Sequence, residues 1–264
     1  MNESALRRVP AGKAKSLAHM PFRLDQGIAH RAAIGLIVLA TDNTIEHEFR
    51  KMLAIDGVAF YETRIRNAAE VNPATLAEME KGMAAAAGLI LPGLKLDVVA
   101  YGCTSGTVVI GEEKVFARIR EARPDVACTT PITGAIAGFR ALGAKRIALL
   151  TPYIEEVNQA LRAFIEERGV EVPVMGSFNH ENDNEVARIS PDSIREAMRK
   201  LVRVDKVDAL FVSCTSLRLA TIAEELEREL GVPVTSSNHA MAWHCLRLAG
   251  YREAVPAFGS LFRL

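Results

Sequence analysis

The sequence predicts an α/β protein built as two pseudo-symmetric halves, each a parallel sheet flanked by helices. Three observations carry that expectation. Apolar, branched runs of strand length alternate with amphipathic helical stretches along the chain. One phrase occurs twice, as Asp97-Val-Val-Ala-Tyr-Gly-Cys103-Thr104-Ser105 and as Asp208-Ala-Leu-Phe-Val-Ser-Cys214-Thr215-Ser216, separated by 214 − 103 = 111 residues. Ile37–Asn43 also aligns with Ile147–Tyr153 at an offset of 110, and Arg140 and Gly143 align with Arg247 and Gly250 at 107. Nearly constant offsets between long segments mark a duplicated unit. The boundary falls near Leu142–Lys145, giving an N-terminal arm over 1–30, a first half over 31–143 whose last helix packs across, and a second half over 144–264.

The elements follow in order. Ile34–Ala40 is apolar and rich in branched residues, as a strand buried on both faces requires. A helix over Thr44–Leu53 and a strand over Val58–Arg64 come next. Pro73, tolerated in a first helical turn, opens a helix to about Leu89. Asp97–Tyr101 is a strand, followed by the Cys103 loop and a helix over Glu113–Glu121. Val126–Cys128 is a short strand and Ile132–Leu142 a helix stopped by Gly143. The second half repeats this with strands over Arg146–Leu150, Val170–Ser177, Ala209–Ser213 and Val232–Thr235. Its helices cover Glu155–Glu167, Pro191–Val202, Leu219–Leu230 and His239–Leu248.

Composition excludes several function classes. The 264 residues carry 32 Lys+Arg against 32 Asp+Glu, so no global basic field draws nucleic acid or an anionic membrane. No apolar run approaches the roughly 20 residues of a membrane span. The N-terminus lacks a basic-then-apolar signal. The four cysteines, at 103, 128, 214 and 245, are far apart with no Cys-x-x-Cys pair, which argues against zinc and for reduced thiols in the cytoplasm. Low aromatic content (6%) and apolar helices point to a homo-oligomer.

In open parallel sheets ligands bind beyond the carboxyl ends of strands. Asn43, Cys103, Tyr153 and Cys214 all stand just past such ends, and two facing halves bring them to one cleft. Successive N–H groups after each strand, with the hydroxyls of Thr104, Ser105, Thr215 and Ser216, make a cradle for a small carboxylate. Gly106 lets the first loop approach a ligand closely. The same N–H groups favour a thiolate. One thiolate can abstract a proton or attack an activated double bond while the opposite thiol delivers a proton from the other face. Asn43 through its amide and Tyr153 through its phenol can bond a carboxylate; Asn43 also reads as a helix cap. Cys128 and Cys245 read as buried small hydrophobes. His180 and His239 pair with no nucleophile in sequence, and the polar run Asn179–Asn184 is a surface loop or a flap.

These motifs resemble the aspartate/glutamate racemase superfamily, in its maleate isomerase and arylmalonate decarboxylase branch. The likeness is carried by Ala40-Thr41-Asp42-Asn43-Thr44, Val99-Ala-Tyr-Gly-Cys103-Thr-Ser-Gly106, Thr151-Pro152-Tyr153, Asn184-Glu-Val-Ala-Arg188-Ile189 and Val212-Ser-Cys214-Thr-Ser216. Gly-Cys-Thr-Ser-Gly-Thr-Val-Val-Ile-Gly-Glu-Glu and Ser236-Ser-Asn-His-Ala-Met-Ala-Trp-His look most like the ectoine-utilisation proteins. The resemblance implies cofactor-independent chemistry at the interface of the halves, with Cys103 and Cys214 catalytic and Asn43, Tyr153 and Asn184 binding a substrate carboxylate. It implies a cis–trans isomerase or a racemase of a small carboxylate. Decarboxylases of this branch keep only the second cysteine, so the pair argues against that activity. A two-lobed carboxylate-binding protein without turnover and a thiolate-dependent lyase are the alternatives.

Overall fold

Two four-stranded sheets form the frame, every strand parallel to its neighbours. They are seen in a computed structural model that describes residues 19–264 except Glu181. Most of the expected arm over 1–30 thus lies outside the described residues. The first sheet has the order β2-β1-β3-β4, with β1 Ala32–Leu39, β2 Val58–Ile65, β3 Val98–Tyr101 and β4 Ala127–Thr129. The second has the order β6-β5-β7-β8, with β5 Arg146–Thr151, β6 Glu171–Ser177, β7 Ala209–Val212 and β8 Val234–Ser236. The two orders are the same one repeated.

The ladder sharpens the repeat. Ile37 pairs with Tyr101, and Leu150 with Val212. If the cysteine phrases superpose at 111, the first strands superpose at 150 − 37 = 113, not at the expected 110. The acid opening each repeated phrase is also explained: Asp97 accepts the Ala33 N–H at 2.9 Å, and Asp208 accepts those of Lys145 and Arg146 at 2.9 Å. Each fastens the start of its half's first strand to its central neighbour.

Helices cover both sheets. They are α1 Ile45–Met52, α2 Pro73–Glu78, α3 Met83–Leu89, α4 Thr104–Ile110, α5 Glu112–Ala122, α6 Pro131–Leu142, α7 Glu155–Glu166, α8 Asp183–Val186, α9 Pro191–Leu201, α10 Ala223–Leu230 and α11 Ser237–Leu248. Four depart from expectation, the first being the short α8, which begins inside the run expected as a loop or flap. The helix opened by Pro73 is broken by a 3₁₀ turn over Met79–Gly82. A helix starts at once after Cys103, which is its N-cap, and a second begins after Gly111 at φ +94°. After Cys214 the chain runs in turns, and the helix begins only at Ala223.

Helices α6 and α11 join the halves. A Cβ on Gly134 would stand 2.8 Å from the Ala240 carbonyl oxygen, so only glycine allows this approach of backbones. Phe139 of α6 meets Phe211 of β7 edge to face, while α11 packs on β3 and β4. One hydrophobic core therefore runs from the first sheet through these helices into the second. The carboxyl ends of the two sheets are left facing each other.

Candidate active site

Both loops of the repeated phrase enter one cavity between the sheet ends. It is lined by Cys103, Cys214, Tyr153, Ser105 and Asp183, with Leu39, Asn67 and Met79 among its further walls. Its free volume is about 30 Å³, more than the roughly 10–15 Å³ that one buried water needs.

Cys103 caps α4, and its Sγ accepts the Gly106 N–H at 3.2 Å. Gly106 has no alternative here, because a Cβ would stand 2.8 Å from that sulfur and 2.8 Å from Tyr101 Oη. Cys214 is held differently. Its φ is +149°, a region rarely adopted outside glycine, and such strain persists where surroundings over-determine it. The surroundings are visible: the Cys214 N–H donates to Ser237 Oγ at 3.0 Å, and the Ser216 N–H to Cys214 Sγ at 3.4 Å. Ser237 Oγ also meets Thr104 Oγ1 at 2.7 Å, so one hydroxyl ties the two cysteine loops together. From below, Glu48 of α1 accepts the Ala220 N–H at 2.7 Å and the Asn238 amide at 2.8 Å, while that amide also donates to the Thr215 carbonyl.

The expectation of ready thiolates is corrected. Burial pushes the Cys103 thiol up to about 11 against the pull of the Gly106 N–H, and the nearby Asp183 charge adds to the rise. Burial, then Asp183, push Cys214 up further. The N–H groups are present, but desolvation outweighs them. Tyr153 is buried beside Cys214, Cys103 and Ser105; burial first, then the adjoining thiols, push its phenol well above the usual range. Thr215 lines the cavity, whereas the Ser216 hydroxyl turns to Asp183 Oδ1 at 2.7 Å.

Two expected substrate ligands are not at the cavity. Asn43 and Asn184 are both exposed, and the preceding residue is buried in each case. Asp42 caps α1 by accepting the Thr44 and Ile45 N–H groups at 2.8 and 2.9 Å. Burial raises its pKa, and its Oδ2 has no partner among the described residues. Asp183 enters the cavity wall. Its N–H reaches across to the Ala69 carbonyl at 3.1 Å, and Thr41 Oγ1 donates to its Oδ2 at 2.6 Å. The Asn182 segment thus bridges to the first half at Glu70. Asp42 lies in the turn after β1 and Asp183 opens α8, and nothing in the sequence fixes which neighbour turns inward at either place.

The remaining candidates have structural surroundings. His239 donates from Nε2 to the Phe258 carbonyl and is held neutral by burial, its pKa lowered to about 4. His180 lies at the surface against Glu185 at 2.7 Å. Cys128 and Cys245 are buried and line no part of the cavity. Among the described residues no three His, Cys, Asp or Glu side chains are grouped to hold a metal ion, and no helix is long and apolar enough to cross a membrane.

A mixed fold of two parallel sheets with two thiols at their junction defines an enzyme scaffold of the racemase-like class. The arylmalonate decarboxylase family matches residues 64–262, and the chain belongs to that family. It is 36% identical to the arylmalonate decarboxylase of Bordetella bronchiseptica over 137 residues, 51% of this chain and 57% of that enzyme. It is 29% identical to the maleate isomerase of Nocardia farcinica over 241 residues, 87% of this chain and 95% of that one. The structure of the Nocardia farcinica maleate cis-trans isomerase in a Cys-to-Ser form, with a covalently bound succinylcysteine intermediate, superposes with a TM-score of 0.80. It is 27% identical and covers 88% of this chain and 98% of its own.

Proposed function

We propose that the chain is a cofactor-independent cis–trans isomerase of a small unsaturated carboxylate, working through Cys103 and Cys214. The observation that supports it most is the single small cavity that both thiols line. Family membership and the covalent cysteine adduct in a similar isomerase support it too. In this reading the Cys103 thiolate adds to one alkene carbon and the π pair takes a proton from Cys214 at the other. The former double bond then rotates as a single bond. Cys214 recovers the proton, the C–S bond breaks, and the trans alkene leaves with both sulfurs restored. The carboxylate is received by the Ser105 and Thr215 hydroxyls and the Tyr153 phenol, which line the cavity beside the sulfurs.

The raised thiols fit this scheme as a resting state. A protonated Cys214 is ready as the acid, and only Cys103 must be activated on binding. The likeness of residues 102–113 and 236–244 to the ectoine-utilisation proteins favours a role in ectoine or hydroxyectoine breakdown, in a cytoplasmic homo-oligomer. A thiolate-dependent lyase is the second reading, favoured by the family match; the presence of Cys103 beside Cys214 places it second. Candidate substrates incubated in D₂O separate the routes. Isomerisation with an adduct on Cys103 supports addition, deuterium washed into a saturated α-carbon identifies a racemase, and full activity in both Cys103→Ser and Cys214→Ser refutes the pair.

A further inference from the structure

We infer that Asp183 selects a substrate whose far end carries N–H donors rather than a second carboxylate, the proposal resting on the isomerase reading for the identity of the reacting end. The cavity shared by the two sulfurs has Asp183 in its wall, and among the described residues no Lys, Arg or His lines it. Glu70 adds a second acid at the rim. A dicarboxylate such as maleate would set its second charge against Asp183 with no cation to offset it, and like charges in a site of this kind are strongly disfavoured.

Asp183 is fixed in an accepting role. It is 7% exposed, and Thr41 and Ser216 donate hydroxyl protons to its two oxygens at 2.6 and 2.7 Å. Thr41 is in turn held by the Asn67 amide at 2.7 Å, so its hydroxyl proton is directed to Asp183. With both hydroxyls committed as donors, the carboxylate offers the cavity lone pairs only. An amide or ammonium group supplies the complementary partner. Such a group also has a chemical effect. Asp183 contributes to holding both thiols protonated, so covering it with N–H donors makes the Cys103 thiolate easier to form when the substrate is bound.

The test compares three four-carbon ligands with one cis-alkene carboxylate end: maleate, its isosteric monoamide maleamate, and cis-4-aminobut-2-enoate. Protection of Cys103 from iodoacetamide in the wild-type protein reads occupancy of the cavity, whether or not the ligand is converted. Maleamate and the amine are expected to half-protect at concentrations at least about 100-fold below maleate, and Asp183→Asn, of the same shape, is expected to shrink that gap below about tenfold. The order of the amide and the amine distinguishes a neutral from a cationic donor. Equal or better protection by maleate, an unchanged gap in Asp183→Asn, or no protection by any of the three overturns the inference. Conversion of maleamate to fumaramate, followed by NMR, judges the isomerase reading separately. Selective protection without conversion leaves the Asp183 inference standing and removes the isomerase.

Discussion

Gly106→Ala is the substitution whose consequence can be worked most fully. The new methyl would stand 2.8 Å from Cys103 Sγ, 2.8 Å from Tyr101 Oη and 2.9 Å from Met79 Cε. Ordinary contacts of carbon lie at about 3.5–4.0 Å, so the sulfur must retreat by roughly 1 Å or the first turn of α4 must shift. Either movement lengthens the 3.2 Å bond from the Gly106 N–H, one of the interactions that opposes the rise of the Cys103 pKa. Overpacking of this kind costs about 1–3 kcal/mol, equivalent to a fall in Tm of roughly 2–12 °C for a chain of this size. A displacement of about 1 Å at a reacting atom costs on the order of 10²-fold in rate. Gly143→Ala is the control. Its Cβ meets nothing within 4 Å, and only the left-handed backbone at φ +68° opposes it, so it loses about 1–2 kcal/mol and no activity. The assay is kcat/KM on maleamate beside thermal unfolding of both variants. Gly106→Ala retaining kcat/KM within about threefold of wild type would refute the claim that this glycine exists to seat the sulfur.

Two further outcomes follow from buried ionisable groups. The rate of Cys103 alkylation in the unliganded protein is expected to rise about tenfold per pH unit to near pH 11; a plateau near pH 8.5 would show an ordinary exposed thiol. Glu48 is raised by burial to about 7 from 4.5 despite the bonds from Asn238 and Ala220. Its folded pKa lies above its unfolded one, so its contribution is fully present below about pH 4.5 and is lost as pH rises through 7, by about 3 kcal/mol at most. Urea unfolding from pH 4.5 to 8 should show this fall in wild type and lose it in Glu48→Gln, whatever that variant's overall stability.

The inner strands were legible because each is largely an apolar run in a sheet covered on both faces, whereas β2 and β6 mix polar and exposed residues among apolar ones. Even the short β4 and β8 were placed within two residues. The helix after Cys103 was not, because Gly106 and β-branched Thr107, Val108 and Val109 read as loop or strand by propensity, while the Cys103 cap and the packed first turn override it. The repeat gave the positions of both thiols. It did not give their ionisation, which depends on burial from elements far apart in sequence. The ties across the halves were equally hidden: Thr104 meets Ser237 over 133 residues, and Glu48 meets Asn238 over 190. Asp42 and Asp183 stood one place from the residues expected at the cavity, and only the turn after β1 and the start of α8 decide which neighbour faces inward.

The central claim is that two sulfurs and Asp183 grip one small molecule from three sides. A crystal structure of Cys214→Ser soaked with maleamate tests it directly. The account predicts density continuous from Cys103 Sγ to a ligand carbon, the carboxylate on the Ser105 side and the amide nitrogen within hydrogen-bonding distance of Asp183. An unmodified Cys103 with the ligand seated elsewhere, or an amide turned away from Asp183, would contradict it.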